Sequence, residues 1–489
     1  MFRRSVIMLL VVLMVFSFAL PAFAQSTNTR GQSAAAFDQK IIRNLDVNRA
    51  MDHLYYLTKE IGTRPGGMPN EKLAADYIAD YFESIGYEPW VQEFSIGNQH
   101  IGTITVHDGE QWFGQGEWGF NEWHGTVWET GAGSRGPYTS VSGYVVDCGS
   151  GGVNEWPAEV EGNIALVQRG TAFTTLVSRA QNAGATGLLI YSVVGSRGQY
   201  GQTFSPNVTT SIPVLGLALS QGMWLKEMME EFPVYLDIET QLYSNLISQN
   251  VIAIKPAAIE NAPIVVIGGH YDSVVGAPGA NDNGSGVVIL MELARVLKEY
   301  DTDEYELRFA VWGSEERGLV GANRYVQWLS TEDRNRHVAN YNLDMVATSE
   351  YERAPTLFLE TVDGLPNIVT DTSLAAVSRL GYTNVVQSRF GSSDHVPFHN
   401  AGIPATMFIW LGGAGTPQNY TIERYYHTPQ DTIEENICVD RLDMVMKIAG
   451  AAVFDLVRKQ VPAFEKAAIV YREYSPAELE LQQDPNPVQ

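Results

Sequence analysis

The residues with the most chemical potential lie in the second half of the chain, each just beyond an apolar run of strand length. The run 264–269 is followed by His270, Tyr271, Asp272 and Ser273. A Gly-rich loop, 279–286, carries Asp282 at its centre and opens a helical segment. The run 307–313 leads into Ser314, Glu315 and Glu316, and the run 339–343 into Asp344. The run 405–409, after a second Gly-rich loop, leads to Tyr425, Tyr426 and His427. Open α/β sheets bind their ligands beyond the carboxyl ends of the strands. A single strand-end carboxylate is usually a helix cap. Five such positions, filled almost wholly by imidazoles and carboxylates, are hard to explain as caps.

The set fits hydrolysis assisted by two metal ions. Zinc takes His nitrogen and carboxylate oxygen, and a catalytic zinc keeps one position open for water. Two ions about 3.5–4 Å apart need a carboxylate between them and can share a hydroxide. His270, Asp282, Glu316, Asp344 and His427 supply two imidazoles and three carboxylates. One carboxylate can bridge, which leaves one His and one carboxylate for each ion. Glu315 is then free to take a proton from the bound water. Asp272, two residues from His270, can accept the second ring N–H and fix its tautomer.

The elements that must position these residues follow from the apolar pattern. Over 249–461, fully apolar strands (250–254, 264–267, 307–311, 339–343, 405–409) alternate with helical segments (286–300, 321–329, 368–380, 440–459). This predicts an α/β fold with a mainly parallel mixed sheet covered by helices on both faces. Nearer the N-terminus, a helix is expected over 50–60, a second over 71–85 capped by Asn70, and a strand over 87–96. From 123 to 239 the character changes. Short β-type runs (142–146, 163–167, 187–193, 212–217) surround one helix at 174–182 and predict a small β-rich domain closed as a barrel or sandwich.

At these residues the chain resembles the M28 zinc aminopeptidases. The resemblance rests on His-Tyr-Asp-Ser (270–273), Gly-Ala-Asn-Asp-Asn-Gly-Ser-Gly (279–286) and the Glu315-Glu316 pair. It rests equally on Asn-Leu-Asp-Met (342–345), Ser-Ser-Asp-His (392–395) and Tyr-His-Thr-Pro (426–429). It implies a zinc exopeptidase-like fold and two Zn²⁺ ions, with Co²⁺ or Mn²⁺ as possible substitutes. It implies His270 and Asp344 on one ion, Glu316 and His427 on the other, and Asp282 bridging. Glu315 would be the general base, and Asp272 would orient His270. Tyr426 would help bind the oxyanion, and Asp394 and His395 would lie close to the pocket. A cis peptide is expected at Asp282-Asn283. The segment 162–170, with 177–187 and 212–214, is similar to a protease-associated (PA) domain, which M28 members often carry as a non-catalytic insertion.

The resemblance thus implies hydrolysis of N-terminal residues from peptides or proteins. The same fold also serves carboxypeptidases and dipeptidases, and Arg353, Arg389 or Arg424 could then take a C-terminal carboxylate. Glutaminyl cyclases of this fold use one zinc and fewer ligands. Receptor-like members have lost the ligands altogether. The domain expectations are a signal peptide at 1–24, a leader at 25–36 and peptidase parts at 37–122 and 245–462. The PA insertion takes 123–244 and a tail takes 463–489.

Composition agrees with this reading. A formal charge of −24 makes the chain a poor partner for nucleic acid, whose phosphates need basic patches. Two cysteines exclude a disulfide scaffold; Cys148 and Cys438 fall in different expected domains and are read as free. Met1-Phe2-Arg3-Arg4, an apolar run over 5–20 and Ala22-Phe23-Ala24 have the form of a secretory signal peptide. An extracytoplasmic protein, secreted or periplasmic and not membrane-bound after cleavage, is expected. The sequence carries no signal for an oligomeric state.

Overall fold

The structure is a computed structural model that describes residues 34–107, 127–133, 138–194, 203–206, 208–300, 302, 304–413 and 420–458. The expected signal peptide and the 463–489 tail lie outside the described residues, as does most of the leader. The first helix, Ala34–Ile42, begins three residues before the end of that leader.

Thirteen strands are described. The first seven are β1 (Trp90–His107), β2 (Val127–Gly131), β3 (Tyr138–Asp147), β4 (Ile164–Gln168), β5 (Gly187–Tyr191), β6 (Val214–Leu217) and β7 (Tyr235–Lys255). The rest are β8 (Ile264–His270), β9 (Glu306–Trp312), β10 (His337–Leu343), β11 (Thr356–Thr361), β12 (Val385–Arg389) and β13 (Ala405–Leu411). The catalytic half of the sheet runs β12-β11-β13-β10-β8-β9-β7, with β1 beside β7. Strands β9, β8, β10 and β13 are parallel neighbours; β7 and β11 join antiparallel at either side. The sheet is mixed and mainly parallel at its centre, as expected.

Helices close both faces. In β8, Val265 and Ile267 point into one core with the helices Ser285–Lys298 and Val439–Val457. Ile264 and Val266 point into the other, against Val320–Trp328 and Phe398 of the helix His395–Asn400. A strand buried on both faces has no polar side, which is why it reads as an unbroken apolar run.

Strands β1 and β7 are longer than expected because they run out of this sheet into the PA segment. Their pairing slips on either side of Gly97, whose φ is +82°. Beyond it, β7 pairs with β3, and β3, β4, β5 and β6 follow in parallel order. A bridge from Leu215 of β6 to Ala132, just past β2, brings the ring back to β1. The expected small β-rich domain is thus a barrel, closed at that single bridge. It also holds a second helix, Leu219–Glu231, absent from the sequence reading.

Two local expectations need correction. Asn70 does not cap the third helix, which spans Pro69–Ser84 with Pro at its first turn and Met68 at the cap. The Asn70 amide instead donates to the carbonyls of Ile61 and Thr63 and ties down the preceding turn. Strands β11 and β12 were missed; β12 is half exposed and lacks an apolar run.

One contact links the fold to the site. A Cβ on Gly286 would collide with the Leu343 carbonyl and the Asn283 side chain. Gly286→Ala is expected to cost about 1–3 kcal/mol, as overpacking does, read as a lower urea midpoint at unchanged slope.

Candidate metal centre

All five expected ligands converge at the carboxyl end of the central strands. His270 ends β8 and Asp344 follows β10. Glu315 and Glu316 form a one-turn 3-10 helix just beyond β9. Asp282 stands between the two imidazoles. Its Oδ1 lies 3.2 Å from His270 Nε2, and its Oδ2 lies 3.1 Å from His427 Nε2. His270 Nε2 is 3.5 Å from Asp344 Oδ1, and His427 Nε2 is 3.2 Å from Glu316 Oε2. Two ligand triads therefore share Asp282: His270, Asp282, Asp344, and Asp282, Glu316, His427.

These spacings fit zinc. Tetrahedral ligands about 2.0–2.1 Å from an ion lie about 3.3 Å from one another. Asp344 Oδ1 and Glu316 Oε1 are buried without a hydrogen-bond partner, although buried polar atoms are normally paired. Glu315 stands slightly back, with Oε2 4.0 Å from His270 Nε2.

Buried polar residues hold the ligand loops. The Asp431 carboxylate accepts the N–H of Asn281 at 2.9 Å and of Asp282 at 3.0 Å. Asn283 donates to the Leu343 carbonyl at 2.8 Å and accepts from Gly286 N–H, so it joins the Asp282 turn to the end of β10. The Asp282-Asn283 peptide is cis, as the resemblance implied. Ser393 donates to Asp344 Oδ2 at 2.7 Å. Ser314 adopts a left-handed φ of +54°, and its N–H and hydroxyl both donate to the buried Glu71 carboxylate. The fully buried Arg64 guanidinium donates to the carbonyls of Tyr271, Pro278 and Gly279 and fastens the loop after His270.

Asp431, Ser393, Glu71 and Arg64 were not singled out from the sequence, and Asn283 was noted only for its peptide bond. Asn283 and Ser393 lie inside motifs already noted, and Asp431 is four residues beyond His427. Glu71 and Arg64 carry no comparable signal.

Asp272 acts differently from the expectation. The nearest acceptor to His270 Nδ1 is the Asp272 main-chain carbonyl, at 3.1 Å; the carboxylate lies at 3.6 Å. The carboxylate instead accepts the N–H of Glu315 at 2.9 Å and of Glu316 at 3.2 Å. A short turn exposes its first N–H groups, and a buried carboxylate satisfies them. Asp272 thus orients the two glutamates as well as the histidine.

Asp394 is fully buried, and neither of its carboxylate oxygens has a hydrogen-bond partner. Burial pushes its carboxyl well above the usual range, against the pull of His270. His395 turns away from the ligands: Nε2 meets the Phe390 carbonyl at 2.9 Å, and burial pushes its pKa down to about 4. The Tyr426 ring stacks on His427 with centroids 3.7 Å apart. Burial, then the carboxylates of Asp282 and Glu316, raise its hydroxyl well above 10 and keep it a proton donor. Tyr425 lies instead by Glu350 and Arg424.

Across the site burial opposes charge, and neighbours decide the outcome. Asp282 is held well below the usual carboxylate range because hydrogen bonds from both imidazoles outweigh its burial. Glu315 is raised well above 4.5 by burial, with His270 opposing. His427 is pushed up to about 10: burial disfavours its charge, but Glu316 and Asp282 outweigh it. His270 is raised in the same way by Glu315 and Asp344.

The family model for peptidase family M28 matches residues 250–453. The chain is 33% identical over 457 residues to the aminopeptidase YwaD of Bacillus subtilis, covering 93% of this chain and 94% of that one. The chain belongs to peptidase family M28. A PA domain model matches residues 140–225, so this M28 chain carries that domain. It is also 28% identical to the probable lipoprotein aminopeptidase LpqL of Mycobacterium tuberculosis, over 86% of this chain and 87% of that one. Among solved structures, a zinc aminopeptidase from Bacillus subtilis superposes with a TM-score of 0.61 at 32% identity, covering 86% of this chain and 97% of that one. An aminopeptidase from Aneurinibacillus sp. strain AM-1 does so at 0.53 and 30%, covering 90% and 98%.

Proposed function

We propose that this M28 metallo-aminopeptidase removes N-terminal residues from peptides at a two-zinc centre. The observation that carries the reading is Asp282, whose two oxygens each face one imidazole at 3.1–3.2 Å. His270 and Asp344 would hold one ion, Glu316 and His427 the other, and Asp282 both. Zinc supplies Lewis acidity, which acidifies a bound water and polarises the scissile carbonyl. Glu315 takes the proton of the attacking water and returns it to the leaving amine. The Tyr426 hydroxyl donates to the developing oxyanion. Asp272 supports this shell from behind through the N–H groups of both glutamates, and Asp394 lies buried behind the site. The five ligands are those of the aminopeptidase pattern, undiminished. Of the three arginines that a carboxypeptidase could use, Arg424 pairs through Nε with Glu350 at 3.0 Å, Arg353 Nε donates to the Ile422 carbonyl and Arg389 Nε to that of Val362.

Export follows from the N-terminal signal pattern. The lipoprotein designation of one relative supports an extracytoplasmic location, and among the described residues no helix is long and apolar enough to cross a membrane. The proposed domain division is a PA insertion at 123–244 between peptidase parts at 37–122 and 245–462, with the outer half of β1 joining the PA barrel. Cys148 and Cys438 are both free thiols.

Hydrolysis of aminoacyl p-nitroanilides, beside their N-acetylated forms and peptides read for C-terminal release, tests the reaction. Chelator-sensitive cleavage of the free-amine substrates alone is expected. Turnover of acetylated substrates, or release of C-terminal residues, would overturn the reading.

The carboxylates around the two imidazoles set a pH dependence. They raise both imidazoles above their usual range, His427 to about 10. Zinc needs the neutral rings, so binding releases about one proton per imidazole. Apparent zinc affinity is expected to rise from pH 7 toward 10, measured by competition with a chelating dye. The raised His427 pKa stabilises the zinc-free fold fully below 6.5, and that stability is lost as pH rises through about 10.

A further inference from the structure

The PA domain meets the ligand loops at a few polar contacts, and one of them lands on a proposed zinc ligand. Thr203 lies within the PA match and is 5% exposed. Its N–H donates to the His427 carbonyl at 2.8 Å. Its hydroxyl lies 3.2 Å from the same carbonyl and 3.2 Å from that of Val275, in the loop beyond His270. One residue of the inserted domain therefore straps together the loops that carry both imidazoles.

Two neighbouring contacts hold this seam. Gly276, at φ +83°, approaches the Glu129 carbonyl so closely that a Cβ would collide with it. Ser220 Oγ lies 3.2 Å from Gln430 Oε1, three residues beyond His427. His427 itself has a φ of +56°. A left-handed conformation costs a non-glycine residue about 1–3 kcal/mol and persists only where its surroundings over-determine it. The Thr203 donors clamp the carbonyl of that residue and so fix the peptide that aims the ring.

We propose that Thr203 is a positioning residue, through which the PA domain holds His427 in its left-handed conformation and its imidazole at the metal centre. The inserted domain is then part of the zinc site's support. This rests on the reading of His427 as a ligand.

The test is zinc release from the holoenzyme into a chelating dye, with thermal melts as a folding control. Thr203→Val removes the hydroxyl, Thr203→Pro removes the N–H, and Thr203→Ser keeps both donors. Groups that orient a ligand from behind change metal affinity by about 10–100-fold. Release of one ion is expected to accelerate about tenfold or more in T203P, by less in T203V, and to return to the wild-type rate in T203S. At limiting zinc, kcat falls while KM holds, and added zinc restores it. The affected phase is the one missing from His427→Ala. If H427A still binds two ions, the ligand reading fails whatever Thr203 does. If H427A loses one ion while T203V and T203P release zinc at the wild-type rate, the proposal is overturned. If T203P does not fold, T203V decides alone, and wild-type release in it overturns the proposal.

Discussion

Glu315→Gln is expected to lower kcat by about 10²–10⁴, the usual contribution of a positioned general base. KM, zinc content and the thermal midpoint should stay near wild type. The separation of effects follows from the geometry. Glu315 lies 4.0 Å from His270 Nε2, whereas the ligand pairs lie 3.1–3.5 Å apart. It therefore stands at the rim of the ligand set. Gln keeps the shape and leaves the Glu315 N–H on the Asp272 carboxylate. What it loses is a group able to carry a proton between water and the leaving amine. Glu315→Asp keeps that chemistry but withdraws the carboxylate by one methylene, so partial activity is expected. A kcat within a factor of ten of wild type in E315Q, with full zinc, would move the base elsewhere. A loss of zinc in E315Q would make Glu315 a ligand.

What was legible in the sequence was the chemistry at the strand ends. His270, Asp282, Glu316, Asp344 and His427 are polar residues beyond runs that must be apolar, and that contrast survives without coordinates. The helix Ile368–Leu380 was read to the residue, and in the structure Asn367 caps it and a left-handed Gly381 follows it. What was not legible is the polar scaffold that orients the ligands. Asp431, Glu71 and Arg64 are polar residues whose hydrogen bonds reach loops distant in sequence. A buried Asp and a solvated one look alike in a sequence. Asp272 shows the limit from the other side: proximity in sequence pointed its carboxylate at His270, but the turn at Glu315-Glu316, forty-odd residues on, offered better donors. The strand β1 was cut short for a similar reason, since its outer half pairs with β2 and β7, both of which come later in the chain.

Asp282→Ala should have the widest effect on the metal centre, because one carboxylate serves both triads. Each ion would lose an anionic ligand, and both imidazoles would lose the oxygen nearest their Nε2 atoms. Binding of both ions is expected to fall together, with turnover lost at micromolar zinc. His427→Ala strikes one triad and should leave one ion in place. The contrast, two ions lost against one, is the signature of a bridge and does not depend on an activity assay. Stability gives an independent reading. A ligand at about 100 times its dissociation constant stabilises the fold by about 2.7 kcal/mol. Wild type should therefore melt well above its zinc-free form, H427A should keep part of that increment, and D282A should keep almost none. Removing Asp282 also unmasks a change in the empty protein. Its carboxylate is one of the groups that raise both imidazoles it faces. In D282A their pKa values should fall, so the zinc-free variant sheds its imidazole protons at lower pH than the zinc-free wild type. Titration of the two ring resonances by NMR would read that shift directly. An unchanged pair of pKa values, or one tightly held ion in D282A, would place the bridge on another carboxylate.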